Sequence, residues 1–341
     1  MNKHEEPLVS VVTPVYNRED FLSECIESVL GQTYTTLEYV IVDNCSTDRS
    51  LEIASCYARK DSRVRVHKNK SYLEIIANHN LAFNLISPRA KYCKVVSDFD
   101  IIFPDCIKRM VDVAEGNPSA GIIGSYQLSG SKVRWEGLEY PRAVVPGVEM
   151  CHRVLLGDSE SKLGFGTPTS SLYRADLVRA EREFYPNASP HADASACFKY
   201  LSKCDYGFVY QVLSYARAHA ETESSKSREI NRFASASLGD LAQYGPLYLS
   251  KRELERLLKQ QLNNYHRYLA VNVVRRRGKE FWNYHRSALA ELGFPLKSGQ
   301  LLKAGMKRGF AAIINPGPAL SKFWGTLSLS GRRLVRAQDK E

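Results

Sequence analysis

The first 130 residues alternate between short apolar strands and amphipathic helices, and this alternation restricts the fold more than any other feature of the sequence. Residues 8–15 form a nearly continuous β-branched run, which is typical of a strand buried on both faces. Residues 37–42 and 92–96 are further strand-like runs, and segments with a helical apolar period stand between the strands. The order predicts an α/β fold with a mostly parallel, Rossmann-like central sheet and flanking helices.

Two of the predicted strands end in carboxylates. Asp43 closes one strand, and Asp98 and Asp100 follow the strand that ends at Val96. Because the carboxyl ends of parallel strands meet at one edge of a sheet, we expect these three side chains to lie close together. Oxygen ligands of this kind suit Mg²⁺ or Mn²⁺ carrying a phosphate. The simpler alternative is that Asp98 caps the next turn and Asp100 is solvated.

The start of the first helix is less clear in the sequence. Asn17 is followed three residues later by Asp20, and the apolar helical period begins directly afterwards. We interpret Asn17 and Asp20 as a helix N-cap pair.

Composition favours an intracellular protein. No apolar run approaches the roughly 20 residues of a membrane span, and residues 1–6 contain no apolar core of a secretion signal. The eight cysteines form no Cys-x-x-Cys pair, which favours free thiols in a reducing compartment. We expect a cytoplasmic protein, and we leave open a peripheral association with the inner face of the membrane.

The positive charge is concentrated in the last third of the chain. The whole chain has a net charge of +10, whereas residues 226–341 alone carry 22 Lys and Arg against 8 Asp and Glu. We expect an α/β domain over residues 1–225 and a basic helical region over residues 226–341. Such a region suits an anionic membrane surface or an acidic polymer, or it is merely solvated. Apolar residues 310–314 and 323–324, flanked by basic residues, suit either contact with an anionic membrane or packing against the catalytic domain. We expect no nucleic-acid binding, because nothing basic lines the predicted cleft.

Four segments that follow one another along the chain stand out: residues 10–17, 28–34, 42–48 and 97–100. In this order they resemble the motifs of family 2 glycosyltransferases with the GT-A fold, such as the sugar transferases of bacterial polysaccharide biosynthesis. The resemblance spans about the first 220 residues and does not extend to the last third of the chain.

The resemblance implies a nucleotide-sugar donor site. The residues that it places at the donor are Thr13, Pro14, Tyr16, Asp43 and Asp98. It implies a divalent metal, Mn²⁺ or Mg²⁺, on Asp100, with His219 as a second metal or diphosphate contact, although a histidine after a strand is usually structural. The chemistry agrees, since the N–H of a uracil needs an acceptor and a departing diphosphate needs a counter-cation.

The resemblance also implies a general base. Asp193 lies in a His-x-Asp segment at the start of a predicted helix, where an aspartate often serves only the helix dipole. In the family this aspartate deprotonates the acceptor, as inverting transfer requires. The Gly, Thr and Ser residues of segment 164–171 are either a surface turn or a loop that shapes the sugar pocket.

We therefore expect an inverting hexosyltransferase-type enzyme that moves a sugar from a nucleotide-sugar, with UDP favoured, to a saccharide or lipid-linked acceptor. Many relatives carry adjacent aspartates where this chain has Phe99 and Asp100. This departure motivates the alternative of a non-catalytic nucleotide-sugar-binding or assembly protein. A basic scaffold that binds an anionic polymer through residues 226–341 is the third hypothesis. The sequence leaves the oligomeric state open.

Overall fold

The computed structural model describes residues 6–134, 138, 140–157, 163–186, 189–217, 230–297, 299 and 301. Its strands are β1 Val9–Val15, β2 Leu37–Asp43, β3 Val64–Lys68, β4 Tyr92–Val95, β5 Ile101–Ile102, β6 Ala120–Ser129, β7 Lys132–Arg134, β8 Val144–Val145, β9 Ser171–Arg174 and β10 Asp205–Ala216. Its helices are α1 Leu22–Leu30, α2 Ser50–Lys60, α3 Ile75–Asn84, α4 Cys106–Gly116, α5 Gly147–Leu156, α6 Ala175–Arg179, α7 Ala192–Tyr200, α8 Arg232–Tyr248, α9 Lys251–Val274 and α10 Lys279–Glu291. A 3₁₀ turn spans Pro168–Ser170.

One sheet contains all the strands of the described residues, in the order β3-β2-β1-β4-β9-β6-β10-β5, with β7 beside β6 and β8 beside β10. Six of these ten strands, β1 to β4 with β6 and β10, run in one direction. The predicted α/β architecture with a mostly parallel sheet is confirmed. Strand β9 is antiparallel to both of its neighbours, β4 and β6, and this insertion was not predicted.

Strand β1 lies between β2 and β4, and its seven residues are all buried. Val9 lies opposite Leu37 of β2 and Tyr92 of β4 in parallel register. At the other end of β1, Val15 lies opposite Asp43. This register brings the carboxyl end of β2 to the same edge as the segments that follow β1 and β4.

Helices cover both faces of the sheet because apolar side chains of β1 point alternately to each face. Ile26 of α1 and Met110 of α4 belong to the buried cluster that includes Val11. Phe83 of α3 belongs to a second buried cluster, which includes Val12. Helices α7 and α8 contribute to this second cluster as well.

The first helix begins later than the sequence indicated. Helix α1 starts at Leu22, its N-cap is Phe21, and no side chain makes a capping hydrogen bond. The prediction that Asn17 and Asp20 cap this helix was wrong. Asn17 has a positive φ of 51°, and its side-chain oxygen accepts a hydrogen bond of 2.8 Å from the backbone N–H of Thr47. Asn17 therefore connects the segment after β1 to the segment after β2.

The chain forms two compact units, Met1–Leu254 and Glu255–Glu341. The first unit contains the sheet and helices α1 to α8. The second unit is helical as far as it is described, and within it the Tyr265 hydroxyl lies 2.6 Å from Nδ1 of the buried His285. The predicted helical C-terminal region is confirmed. The domain boundary predicted at residue 225 stays a prediction. The first compact unit continues past this residue and ends at Leu254. Residues 310–314 and 323–324 lie outside the described part.

None of the described helices is both long enough and apolar enough to cross a bilayer.

Candidate active site

The carboxyl end of β1 presents one exposed aromatic ring above two buried residues. Thr13 and Pro14 are buried in β1, whereas Tyr16 is 41% exposed. The Thr13 hydroxyl donates to the carbonyl oxygen of Val96 at 2.8 Å and accepts from the Tyr39 hydroxyl at 2.9 Å. Thr13 therefore holds β1, β2 and the chain after β4 together at this edge. Of the three residues predicted here to line a nucleotide pocket, Tyr16 has the freely accessible side chain.

A second exposed ring lies next to Tyr16. The rings of Tyr16 and Tyr72 meet edge to face with centroids 5.0 Å apart, and Tyr72 is 49% exposed. Tyr72 belongs to the segment between β3 and α3. Two exposed aromatic rings at the carboxyl edge form a surface on which a planar group can stack.

A buried network of amide side chains fixes the segment that carries Tyr72. Asn44 accepts from the backbone N–H of Leu73 at 2.9 Å and donates to the carbonyl oxygen of Leu73 at 2.8 Å. The Asn69 amide donates to the side-chain oxygens of Asn44 at 2.8 Å and Asn78 at 2.9 Å. Because buried amides are costly unless they are hydrogen-bonded, this network determines the path of the segment.

Asp43 is the last residue of β2, and it is 1% exposed. Its Oδ2 accepts from the backbone N–H of Ser46 at 3.3 Å. Its Oδ1 is buried and has no hydrogen-bond partner within the described residues. A buried carboxylate oxygen without a partner requires an explanation, and one explanation is a ligand that donates to it.

Asp98 is buried, with 8% of its surface exposed. Its Oδ2 accepts from the backbone N–H of Tyr16 at 3.3 Å, and its Oδ1 lies 3.5 Å from Nε of Arg18. Burial raises the pKa of Asp98 to about 7, although Arg18 and the Tyr16 N–H both act to lower it. The Arg18 guanidinium also lies 5.6 Å from the centre of the Phe99 ring. Phe99, the residue that departs from the family pattern, thus supports the arginine that pairs with Asp98.

Asp100 is 4% exposed, so the alternative of a solvated Asp100 was wrong. Its Oδ2 accepts from the Thr169 hydroxyl at 2.7 Å, and its Oδ1 accepts from the backbone N–H of Arg217 at 3.3 Å. Burial raises the pKa of Asp100 to about 6, against the lowering effect of these two hydrogen bonds. Asp98 and Asp100 are therefore two neighbouring buried carboxyls whose charged forms lack full compensation.

Thr169 connects Asp100 to the sheet. Its hydroxyl accepts from the backbone N–H of Ser97 at 3.1 Å, and its carbonyl oxygen accepts from Nζ of Lys94. Lys94 is wholly buried in β4 and also donates to the carbonyl oxygen of Ser171 at 3.1 Å. Burial lowers the pKa of this lysine. Thr169, Ser170 and Ser171 are buried, so segment 164–171 is more than the surface turn of the simpler interpretation.

Asp98 and Asp100 are the described residues that could hold a divalent cation. The described residues contain no cluster of three or more His, Cys, Asp and Glu that would hold a metal by themselves. Asp98 and Asp100 nevertheless supply two buried carboxyls with raised pKa values, which a cation would stabilise in their charged forms. Hard oxygen donors favour Mg²⁺ or Mn²⁺, and donor phosphates and water complete the coordination of such ions in many enzymes. His219, the second predicted metal contact, lies outside the described residues.

Asp193 lies in the first turn of α7 and is partly exposed. Its Oδ1 accepts from the backbone N–H of Ala194 at 2.9 Å. Burial raises the pKa of Asp193, the charge of Asp240 adds to this increase, and the Ala194 N–H and His191 oppose it. A raised pKa makes the carboxylate a stronger base than an ordinary aspartate. Within the described residues, no hydrogen bond joins Asp193 to Asp98 or Asp100.

The structure therefore brings the predicted donor residues together and leaves Asp193 on a separate helix. Sequence reasoning did not assign a role to Arg18, Asn44, Tyr72, Thr169 or Asp240. Asn44 directly follows Asp43, so its position at a strand end was a usable signal. Asp240 lies on a helix far along the chain, and no local pattern marks it.

Comparison with known proteins shows the same family. The sequence pattern of Glycosyl transferase family 2 matches residues 10–180. The uncharacterized glycosyltransferase EpsJ of Bacillus subtilis is 37% identical over 112 residues, which are 33% of this chain and 31% of EpsJ. Glycosyltransferase GlyG of Streptococcus pneumoniae is 32% identical over 119 residues, 35% of this chain and 39% of GlyG. The chain thus matches about a third of the length of these relatives.

Solved structures share the fold over a much longer part of the chain. TarS 1-349 of S. aureus, solved in complex with UDP, has a TM-score of 0.58 and 17% identity, and covers 83% of this chain and 79% of its own. The mannosyltransferase PcManGT of Pyrobaculum calidifontis, in complex with GDP-Man and Mn²⁺, has a TM-score of 0.55 and 14% identity. The match covers 99% of this chain and 89% of PcManGT. The sheet, the strand-end carboxylates and the sequence match all agree, and this chain belongs to glycosyltransferase family 2, with a GT-A fold.

Proposed function

We propose that this chain is an inverting glycosyltransferase that transfers a sugar from a UDP-sugar to a hydroxyl of a saccharide or lipid-linked acceptor. The observation that supports it most is the pair of buried carboxyls Asp98 and Asp100, beside the exposed ring of Tyr16 at one edge of the sheet. Buried acidic groups without full compensation are common at sites that bind cationic or hydrogen-bond-donating ligands.

The nucleotide binds at the carboxyl end of β1 and β2 in this proposal. Oδ1 of Asp43, which has no partner among the described residues, accepts a hydrogen bond from the N–H of a uracil. The rings of Tyr16 and Tyr72 contact the base. The S. aureus relative in fold was solved with UDP, which supports uridine. The P. calidifontis relative was solved with GDP-Man, so guanosine is the alternative that the binding experiment must separate.

Asp193 performs the proton transfer. Its carboxylate accepts the proton of the acceptor hydroxyl while that oxygen forms a bond to the anomeric carbon. The bond from this carbon to the donor diphosphate breaks, and the electron pair leaves with the nucleoside diphosphate. Attack from the side opposite the diphosphate inverts the configuration. The raised pKa of Asp193 suits this role.

Asp100, with Asp98 beside it, would hold the divalent cation, and a bound Mn²⁺ or Mg²⁺ supplies positive charge to the departing diphosphate. The chain's own contribution is to hold Asp100 in place through Thr169 and the backbone of Arg217.

Metal-dependent nucleotide binding tests the donor site. We expect UDP to raise the melting temperature only with Mn²⁺ present, GDP to raise it less, and Asp100→Ala to remove the effect. Asp112→Ala is the matched control, because Asp112 is an exposed aspartate that pairs with Lys108 on α4. Absence of a shift with either nucleotide would favour the alternative of a non-catalytic assembly protein, which the departure at Phe99 motivates.

Donor turnover tests catalysis. With UDP-GlcNAc or UDP-glucose, we expect Asp193→Asn to reduce UDP release by about 100-fold or more, because general base catalysis contributes roughly 10²- to 10⁴-fold. The binding of UDP should be unchanged. Asp176→Asn, at an exposed aspartate that pairs with Arg174, is the control. Equal turnover in Asp193→Asn and wild type would remove Asp193 from the mechanism.

We also propose that the basic residues beyond 225 bring the enzyme to an anionic membrane surface, where a lipid-linked acceptor would lie. Sedimentation with vesicles containing about 30% phosphatidylserine at low and high salt tests this step, and binding that is equal with neutral vesicles would contradict it.

A further inference from the structure

A buried carboxylate on α8 contacts the helix that carries Asp193. Asp240 is 6% exposed. Its Oδ2 lies 3.0 Å from Nδ1 of His191, and its Oδ1 accepts from the Ser195 hydroxyl at 2.6 Å. Both oxygens of one buried carboxylate are thus used to hold α7.

The two partners of Asp240 flank Asp193 in the sequence. His191 is the N-cap residue of α7, and Ser195 lies in its first turn with no exposed surface. Since residues 191 and 195 lie one helical turn apart, their hydrogen bonds fix the turn in which Asp193 stands. The carboxylate of Asp240 also makes the surroundings of Asp193 more negative, which helps to raise the pKa of Asp193.

Helix α8 is itself firmly attached to α7. The rings of Phe198 and Tyr244 stack with centroids 5.7 Å apart. The Tyr248 hydroxyl donates to the carbonyl oxygen of Phe198. Because these contacts lie one to two turns beyond Asp240, α8 is fixed along its length and gives Asp240 a defined position.

We propose that Asp240 is a positioning residue of the active site, which acts through His191 and Ser195 to orient the first turn of α7 and the carboxylate of Asp193. The inference rests on the proposed function of Asp193 as the general base. It places a required residue beyond the region of family similarity, residues 10–180, and beyond the predicted catalytic domain, residues 1–225. Helix α8 is therefore part of the active-site structure.

Asp240→Asn in the 341-residue chain tests the proposal, because asparagine keeps the size of the side chain and removes its charge. We expect faster amide hydrogen exchange at residues 191–195. We also expect a fall in kcat for UDP release from UDP-GlcNAc of about 10- to 100-fold, since small displacements of catalytic groups have effects of that order. The UDP-induced thermal shift should stay as in wild type, which a general loss of folding would not allow.

Glu253→Gln is the matched control. Glu253 also pairs with a histidine, His152, at 3.3 Å, but among the described residues neither partner forms a hydrogen bond with α7. It should leave exchange at residues 191–195 and kcat unchanged.

A double-mutant cycle shows whether Asp240 acts through His191. If it does, Asp240→Asn should have much less effect on kcat in a His191→Ala background than in wild type. Additive effects, or wild-type exchange at residues 191–195 in Asp240→Asn, would overturn the inference. Faster exchange in the variant, together with no UDP release by the wild-type protein, would support the positioning role and refute the proposed catalysis.

Discussion

Asp98 and Asp100 combine two conflicting requirements. Burial raises the pKa of Asp98 to about 7 and of Asp100 to about 6, so the unliganded fold disfavours their charged forms. A cation or a hydrogen-bond donor on a ligand requires the charged forms. The charged carboxylates that would bind a ligand best are therefore the forms that destabilise the unliganded folded protein.

The pH dependence of stability follows from these two groups. Because the folded pKa values lie above those of an unfolded aspartate, the folded protein binds more protons, and this contribution to stability is lost as the pH rises from about 4 to about 7. We expect a loss of several kcal/mol, because each unit of pKa shift corresponds to about 1.4 kcal/mol. Mn²⁺ with UDP should raise the melting temperature more at pH 8 than at pH 5.5. Equal ligand-induced shifts at the two pH values would contradict this prediction.

Thr169 offers a residue-scale test with a close control. Thr169→Val removes the hydroxyl that donates to Asp100 at 2.7 Å, and we expect a loss of about 1 to 3 kcal/mol in unfolding free energy and weaker Mn²⁺-dependent UDP binding. Thr33→Val removes a similar hydrogen bond, of 2.9 Å to Asp105, at the exposed surface. The control should change neither quantity appreciably. If both variants bind UDP as wild type does, Thr169 has no role in holding Asp100 for the ligand.

Prediction from the sequence succeeded for residues at strand ends and failed for contacts between distant segments. Asp43, Asp98 and Asp100 were found because apolar strands ended directly before or at them. Thr169 and Arg18 were not assigned roles, because their contacts with the carboxylates depend on tertiary packing. The structure confirms where the strand-end residues lie, but the functions assigned from the sequence all stay predictions, for Thr13, Pro14, Tyr16, Asp43, Asp98, Asp100, Asp193 and His219.

At the scale of elements, the helices and strands were predicted well, because their apolar periods are strong in this sequence. The position of β9 between β4 and β6 was not predicted. Periodicity identifies a strand but does not say which strands it pairs with or in which direction. This strand matters for the site, because it follows the turn that places Thr169 beside Asp100.

The amide network after β3 gives an element-scale prediction. Asn69→Ala removes the hydrogen bonds to Asn44 and Asn78, so the segment with Tyr72 should lose its fixed path. We expect a weaker UDP-induced thermal shift, measured after correction for the variant's own stability. Asn84→Ala, at an exposed amide that donates to two carbonyl oxygens, is the control. A wild-type shift in Asn69→Ala would show that this segment does not contribute to nucleotide binding.

At the scale of the whole molecule, the compact unit that contains the candidate site extends to Leu254. The sequence suggested a limit near residue 225 from the change in charge and the end of the family resemblance. That reasoning could not show that α8, although it follows this limit, packs on α7.

Truncated proteins can distinguish the predicted domain end at residue 225 from the end of the first compact unit at Leu254. We expect a protein ending at residue 254 to fold and to retain UDP binding with Mn²⁺, because it contains the whole first unit. A protein ending at residue 225 lacks α8, exposes the Phe198 ring and should aggregate or melt at a lower temperature. Circular dichroism melts and UDP titration measure both properties. Full UDP release by the 254-residue protein would count against a scaffold that acts through the rest of the basic region.

The antiparallel placement of β9 has a consequence for the order in which a newly made chain can become active. During synthesis, β1 to β4 are available once residue 95 has left the ribosome, but β4 keeps an open edge until β9 follows at residues 171–174. The strand ends that carry Asp43 and Asp98 can therefore come together while the chain is still growing. The first turn of α7 is held only after Asp240 has emerged, so a nascent chain can form the edge with Asp43 and Asp98 before its proposed base is held in place.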